Sequence, residues 1–173
     1  MARVVVIGNA AGGKSTLART LAGCRALPLI EVDQLLWREG WELVPAEVYE
    51  AQHEDAIGQD KWVIEGLGSQ SSIPKRIARA TEIVLIDLPI WLHFALAAER
   101  QLGWQHQALP PAGLATMPPT RRLFKTMWEV DRDWLPIIRD LCDLAEEEGK
   151  KVCRLKTLAE IDAFSKAQAD GFP

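Results

Sequence analysis

The sequence predicts an α/β domain in which a parallel sheet is covered by helices on both faces. Three observations predict it. The candidate strands are short continuous apolar runs and not alternating ones, which points to burial on both sides. Helix-forming stretches lie between them, as in a doubly wound, three-layered arrangement. The first apolar run leads through a glycine-rich turn straight into a helix.

That first run is Val4-Val5-Val6-Ile7. The turn is Gly8-Asn9-Ala10-Ala11-Gly12-Gly13-Lys14-Ser15, which matches G-x-x-x-x-G-K-[ST], and Thr16 to Ala22 continues as helix. In this setting backbone N–H groups curl around a phosphate, and the helix N-terminus adds positive partial charge. Gly8 through Thr16 are therefore the candidate nucleotide-binding residues. Lys14 is expected to reach the β- and γ-phosphates from a solvent-accessible position, and the Ser15 hydroxyl to ligate magnesium. The guanine-reading pattern Asn-Lys-x-Asp cannot occur, because Asn9 is the chain's single asparagine. A nucleotide phosphate with Mg²⁺ is the expected ligand.

The remaining elements follow in order. Leu29-Ile30-Glu31-Val32 reads as a second strand, with Asp33 at its carboxyl end, where open α/β sheets bind ligands. Pro45 opens a helix running to about Ile57. Trp62-Val63-Ile64-Glu65 is a third strand, ended by Gly66-Leu67-Gly68-Ser69. Glu82-Ile83-Val84-Leu85-Ile86 is a fourth, ended by Asp87-Leu88-Pro89. Pro89 to Gln101 is helical, and so is Thr120 to Glu148, with Pro136 kinking or splitting it. Lys151-Val152-Cys153-Arg154-Leu155 is a fifth strand. Thr157 caps the last helix, with Glu160 completing a capping box. The acidic run Glu146-Glu147-Glu148 reads as a solvated helix end beside Gly149.

Residues 103–119 differ in character, with four prolines and two glycines. A loop of this length inside a compact domain is uncommon unless it serves a function. A lid over about residues 100–122, bordered by Arg100, Arg121 and Arg122, is one reading; a plain surface loop is the other.

Composition bounds the function. At 173 residues the chain fits one domain with a real core. Its net charge of −4 argues against a protein that coats nucleic acid or docks on anionic lipid. Cys24, Cys142 and Cys153 show no C-x-x-C spacing, and His53, His93 and His106 show no metal-like spacing. Four apolar residues between Arg3 and Gly8 are too few for a signal peptide, and Asp87, Pro89 and His93 interrupt the most apolar stretch. A reduced, cytoplasmic chain with no membrane span is the expectation.

The chain resembles the small P-loop kinases related to adenylate kinase and shikimate kinase, and is closest to the branch labelled "DNA topology modulation protein". The resemblance rests on the loop, on Leu29-Ile30-Glu31-Val32-Asp33, on Leu36-Trp37-Arg38-Glu39-Gly40-Trp41, on Trp62-Val63-Ile64-Glu65-Gly66 and on Ile86-Asp87-Leu88-Pro89. It implies a five-stranded parallel sheet in the order 2-3-1-4-5, an acceptor region over about residues 33–58, an arginine-bearing lid and ATP as donor. The family's common loop pattern G-x-x-G-x-G-K has its middle glycine one place later here, at Gly12. The family's strand-3 acid, usually Asp, is Glu65.

Several residues carry two readings. Asp33 holds a magnesium-bound water or takes a proton from an acceptor hydroxyl; the other reading is an N-cap. Glu65 and Asp87 compete for the acidic position facing the metal. Pattern alone favours Asp87, which four apolar residues precede; the resemblance favours Glu65, leaving Asp87 to cap the helix after Pro89. Arg38, between Trp37 and Trp41, suits an anionic acceptor group, or is a surface arginine over packing indoles. Arg121 and Arg122 join it as acceptor-binding candidates. Arg100 is the first choice for the arginine that stabilises a transferring phosphoryl group. The expected activity moves the ATP γ-phosphoryl to a nucleotide or other small acceptor. The alternative is a P-loop ATPase or regulatory switch without a second substrate. Direct binding to nucleic acid is not expected.

Overall fold

A computed structural model describes residues 1–103 and 118–171. Five strands form one sheet, all paired in parallel: β1 (Arg3–Gly8), β2 (Leu29–Glu31), β5 (Trp62–Glu65), β6 (Glu82–Ile86) and β7 (Lys151–Leu155). Their spatial order is β2-β5-β1-β6-β7. Two more strands, β3 (Trp37–Arg38) and β4 (Glu42–Leu43), pair antiparallel in a separate hairpin. Without that hairpin the order is the expected 2-3-1-4-5.

Successive residues of a strand face opposite sides of the sheet, and the core follows this period. Val5, Ile7, Ile64, Ile83 and Leu85 face one layer. There they meet Ile73 and Ile77 of α4 (Ser72–Arg79) and Leu135, Ile138 and Cys142 of α7 (Leu135–Glu147). Val4, Val6, Val63, Val84 and Ile86 face the other. They meet Leu17 and Leu21 of α1 (Lys14–Arg25) and Ile161 of α8 (Leu158–Asp170). The architecture is thus α/β in three layers.

The second strand stops at Glu31, and α2 (Val32–Leu36) begins at once. Burying Val32 completely in the core turns the chain there, so Asp33 lies in the first turn of a short helix rather than at a strand end. It is not an N-cap: Glu31 holds that place, without a side-chain cap bond. Pro45 precedes α3 (Ala46–Gly58), and Pro89 precedes α5 (Ile90–Leu102). The long helical stretch is split into α6 (Thr120–Glu129), a π-helical segment (Val130–Trp134) and α7. Pro136 sits in the first turn of α7, where its missing N–H is harmless, and the widened segment before it absorbs the clash of its ring. The capping box of α8 is present: the Glu160 N–H donates to Thr157 Oγ1 at 3.2 Å, and the Thr157 N–H to Glu160 Oε2 at 3.3 Å. Residues 104–117, the middle of the expected lid, lie outside the described residues. Phe94 and Phe124 stack at 5.3 Å and join the helices that flank them.

His53 of α3 is fully buried, stacked on Tyr49 at 5.8 Å, and neither ring nitrogen has a partner. Burial, and next the Arg76 charge, push its pKa down to about 4; Lys75 acts in the same direction, against Glu50 and Glu54. Between pH 6.5 and about 4 the unfolded chain takes up this proton and the folded chain does not, so the fold loses stability as pH falls. From pH 7 to pH 5 the loss amounts to about 2 kcal/mol. His53→Phe keeps the stack and removes the titration. Urea unfolding at the two pH values should show a decline smaller than the wild type's by about 2 kcal/mol.

Candidate active site

The glycine-rich loop, the candidate for binding phosphate, sits at the carboxyl edge of the sheet, at the end of its central strand β1. Gly8 ends that strand because a Cβ there would lie 2.3 Å from the Ile86 carbonyl oxygen of the neighbouring strand. Gly13 has φ +84 and opens α1, and the space beyond it is empty. No side chain caps α1, and its first turn carries no acidic residue. Its leading N–H groups and dipole are therefore available to an anion. Asn9, fully buried, ties the loop to α6 by donating from Nδ2 to the Met127 carbonyl at 2.8 Å, while its Oδ1 accepts from the Ala10 N–H at 2.8 Å.

Lys14 is buried, contrary to the expectation of an accessible lysine, and its Nζ donates to the Asn9 carbonyl at 2.7 Å. The side chain lies back along its own loop. Burial lowers its pKa, and Glu65 and Asp33 counter this. Ser15 Oγ donates to Glu65 Oε1 at 3.0 Å. Burial raises the Glu65 carboxyl, with Lys14 acting in the opposite direction. Burial likewise raises Asp33, against the charges of Lys14, Arg76 and Arg100.

These groups face one cavity of about 770 Å³. Ala10, Ala11, Gly13, Lys14, Ser15 and Thr16 line it from the loop side; Gly8, Asn9 and Gly12 do not. Asp33, Glu65, Arg100 and Arg122 line it as well. Of the two competing acids, Glu65 is the one brought to Ser15. Asp87 neither lines the cavity nor caps α5, which has no side-chain cap. It accepts from Arg139 instead, Nη2 at 2.7 Å and Nε at 3.1 Å. Because Arg139 is still partly in water, Asp87→Asn should cost only about 1 kcal/mol of stability. A thermal-shift titration should find its ATP response equal to that of the wild type.

Arg38 and Arg121 are exposed and do not line the cavity. Consecutive strand residues point to opposite sides, so with Trp37 facing the cavity Arg38 faces away. The guanidinium near the indoles comes from Arg122: it lies 5.1 Å from the Trp37 ring centroid and donates to the Trp41 carbonyl at 3.2 Å. Trp37 and Trp41 meet edge to face at 5.9 Å.

Sequence reasoning missed Tyr49 and Arg76. The Tyr49 hydroxyl lies 2.9 Å from Ser72 Oγ and accepts from the Ser69 N–H at 3.2 Å, holding the turn after β5 at the cavity wall. Arg76 is fully buried and donates to the Leu67 carbonyl at 2.6 Å. Its charge acts on Asp33 from within the fold. The one available signal was its place three residues after Ile73, on the buried face of a helix.

The fold is that of the P-loop kinases. Two solved structures that share it are a gluconokinase from Sinorhizobium meliloti 1021 and a shikimate kinase from Bacteroides thetaiotaomicron. The gluconokinase is 18% identical, with a TM-score of 0.55 over 98% of this chain and 92% of that one. The shikimate kinase is 11% identical, with a TM-score of 0.60 over 98% and 97%. No protein-family model and no curated protein matches the chain. No described helix is long and apolar enough to cross a membrane.

Proposed function

We propose that the chain is an ATP-dependent phosphotransferase that moves the γ-phosphoryl group to a nucleotide or other small hydroxyl-bearing acceptor. One observation carries this reading: the phosphate loop and a second set of polar side chains, Asp33, Arg100 and Arg122, line the same cavity. A nucleotide-binding loop alone would not require the second set.

The residues present fit ATP and magnesium. The uncapped start of α1 and the buried Lys14 suit the phosphates, and the Ser15 hydroxyl, bonded to Glu65 in the cavity that Asp33 also lines, suits the metal. ATP supplies the transferred group, and magnesium supplies positive charge on its phosphates. Lys14 and Arg100, which both line the cavity, add positive charge there. Asp33 takes the acceptor hydroxyl proton; burial raises its pKa toward the range where a carboxylate is a useful base. Trp37, Trp41 and Arg122 hold the acceptor, the indoles by contact with its body and the guanidinium by pairing with an anionic group. The Trp37–Trp41 block also supports placement in the "DNA topology modulation protein" branch, and the overall picture suits a cytoplasmic enzyme that acts on free small molecules rather than nucleic acid.

The test is ADP formation by the purified chain, with and without a panel of nucleoside monophosphates, sugars and hydroxy acids. Turnover that rises with one acceptor class supports the proposal. Slow turnover indifferent to every acceptor would make the chain an ATPase or a switch.

A further inference from the structure

The first turn of α5 contains a histidine that the proposed chemistry does not use. His93 is fully buried and lies against the phosphate loop. Its Nδ1 is 2.7 Å from the Ala10 carbonyl oxygen. A carbonyl only accepts, so Nδ1 carries the proton and Nε2 the lone pair. Nε2 is buried and has no hydrogen-bond partner among the described residues. The same ring explains the displaced glycine. A Cβ at residue 12 would stand 2.7 Å from His93 Cε1 and 3.3 Å from Nδ1, and 3.1 Å from Ile86 Cγ2. Residue 12 must therefore be glycine while the imidazole is there. Ala11 keeps φ +60, a left-handed conformation that favours glycine, although it is alanine. The loop thus places its glycine where the ring needs the space, not where the backbone is left-handed.

We infer that His93 is a positioning residue for the phosphate loop: its N–H holds the Ala10 carbonyl turned away from the ligand, and its ring fixes the path of residues 10–12. The inference rests on the reading of this loop as an ATP site. A buried donor on the back of the loop sets the carbonyl direction before any ligand arrives, so the adjoining N–H groups are already ordered for an anion. The ring suits the task because it stays neutral. Burial disfavours its charged form and Lys14 does so too, while the bond to Ala10, Asp131 and Asp87 act the other way.

Three variants test this by calorimetric titration with Mg-ATP. His93→Leu fills similar space without a donor and should weaken binding about tenfold, the effect of one lost hydrogen bond to a buried group. His93→Asn keeps a donor near the Nδ1 position and should bind within about threefold of wild type. Gly12→Ala should weaken binding about tenfold or more in the wild-type background, where the new methyl meets Cε1. In the His93→Asn background, which lacks that atom, the same substitution should cost less than about threefold. A merely structural histidine would not give this rescue.

Binding by His93→Leu equal to wild type overturns the inference. So does an equal loss in His93→Leu and His93→Asn, or an equal cost of Gly12→Ala in both backgrounds. If His93→Leu fails to fold, the Gly12→Ala pair decides alone. A wild-type chain that binds no ATP overturns the site reading and this inference with it; a wild-type chain that binds, with no rescue and no coupling, overturns the inference only.

Discussion

Lys14→Met is expected to abolish the stabilisation that Mg-ATP gives the wild-type chain. At a hundred times its dissociation constant, a ligand that binds only the folded state adds about 2.7 kcal/mol. The variant should show almost none of this gain. Methionine is the right replacement because Lys14 is buried. It keeps the packed stem and deletes the charge, whereas alanine would also open a cavity. The ammonium now satisfies the Asn9 carbonyl at 2.7 Å and offsets the burial of Glu65 and Asp33. Without it those two carboxyls lie nearer to their protonated forms, which spares the apo fold the full cost of unpaired charge. Apo stability should consequently fall far less than the ATP response. Differential scanning fluorimetry over an ATP series gives both quantities, and an ATP response equal to that of the wild type would remove the loop from the site.

The second large effect is on turnover. Asp33→Asn preserves shape and removes charge. Phosphoryl transfer should drop by about 10² to 10⁴, the usual range for a lost general base. ATP affinity should change no more than a few-fold, because the substitution leaves the loop's amides and Lys14 in place. The split between kcat and ATP binding is the diagnostic, since a group acting on the acceptor hydroxyl contributes to the transition state and little to nucleotide binding. Unchanged turnover would reduce Asp33 to a partly buried acid that balances Lys14, Arg76 and Arg100.

The sheet and the glycine-rich loop between β1 and α1 were legible because their signals are local. Runs such as Val4–Ile7 and Ile83–Ile86 are buried on both faces, the pattern of strands in a parallel sheet covered on both sides. The loop's glycines lie within a dozen residues of the strand and helix that they join. What could not be read is tertiary. Asp87 has the local look of an acid at a strand end, yet it pairs with Arg139, 52 residues away. Arg38 sits between two tryptophans in sequence, but strand alternation turns it outward and Arg122, 81 residues after Trp41, occupies the place over the indole. Asp33 moved from strand end to helix because burying Val32 dictated where the chain turned. Arg76 and His93 lie on helix faces that sequence patterns assign to apolar residues, and what they hold, the Leu67 and Ala10 carbonyls, is visible only in the folded chain.

The central claim is that one cavity holds donor and acceptor together and passes a phosphoryl group between them. The most direct measurement is transfer of radiolabel from γ-labelled ATP, with products separated after incubation with each candidate acceptor. The expected result is label on one acceptor class, dependent on Lys14 and lost in Asp33→Asn. Label found in inorganic phosphate alone, whichever acceptor is supplied, would contradict it.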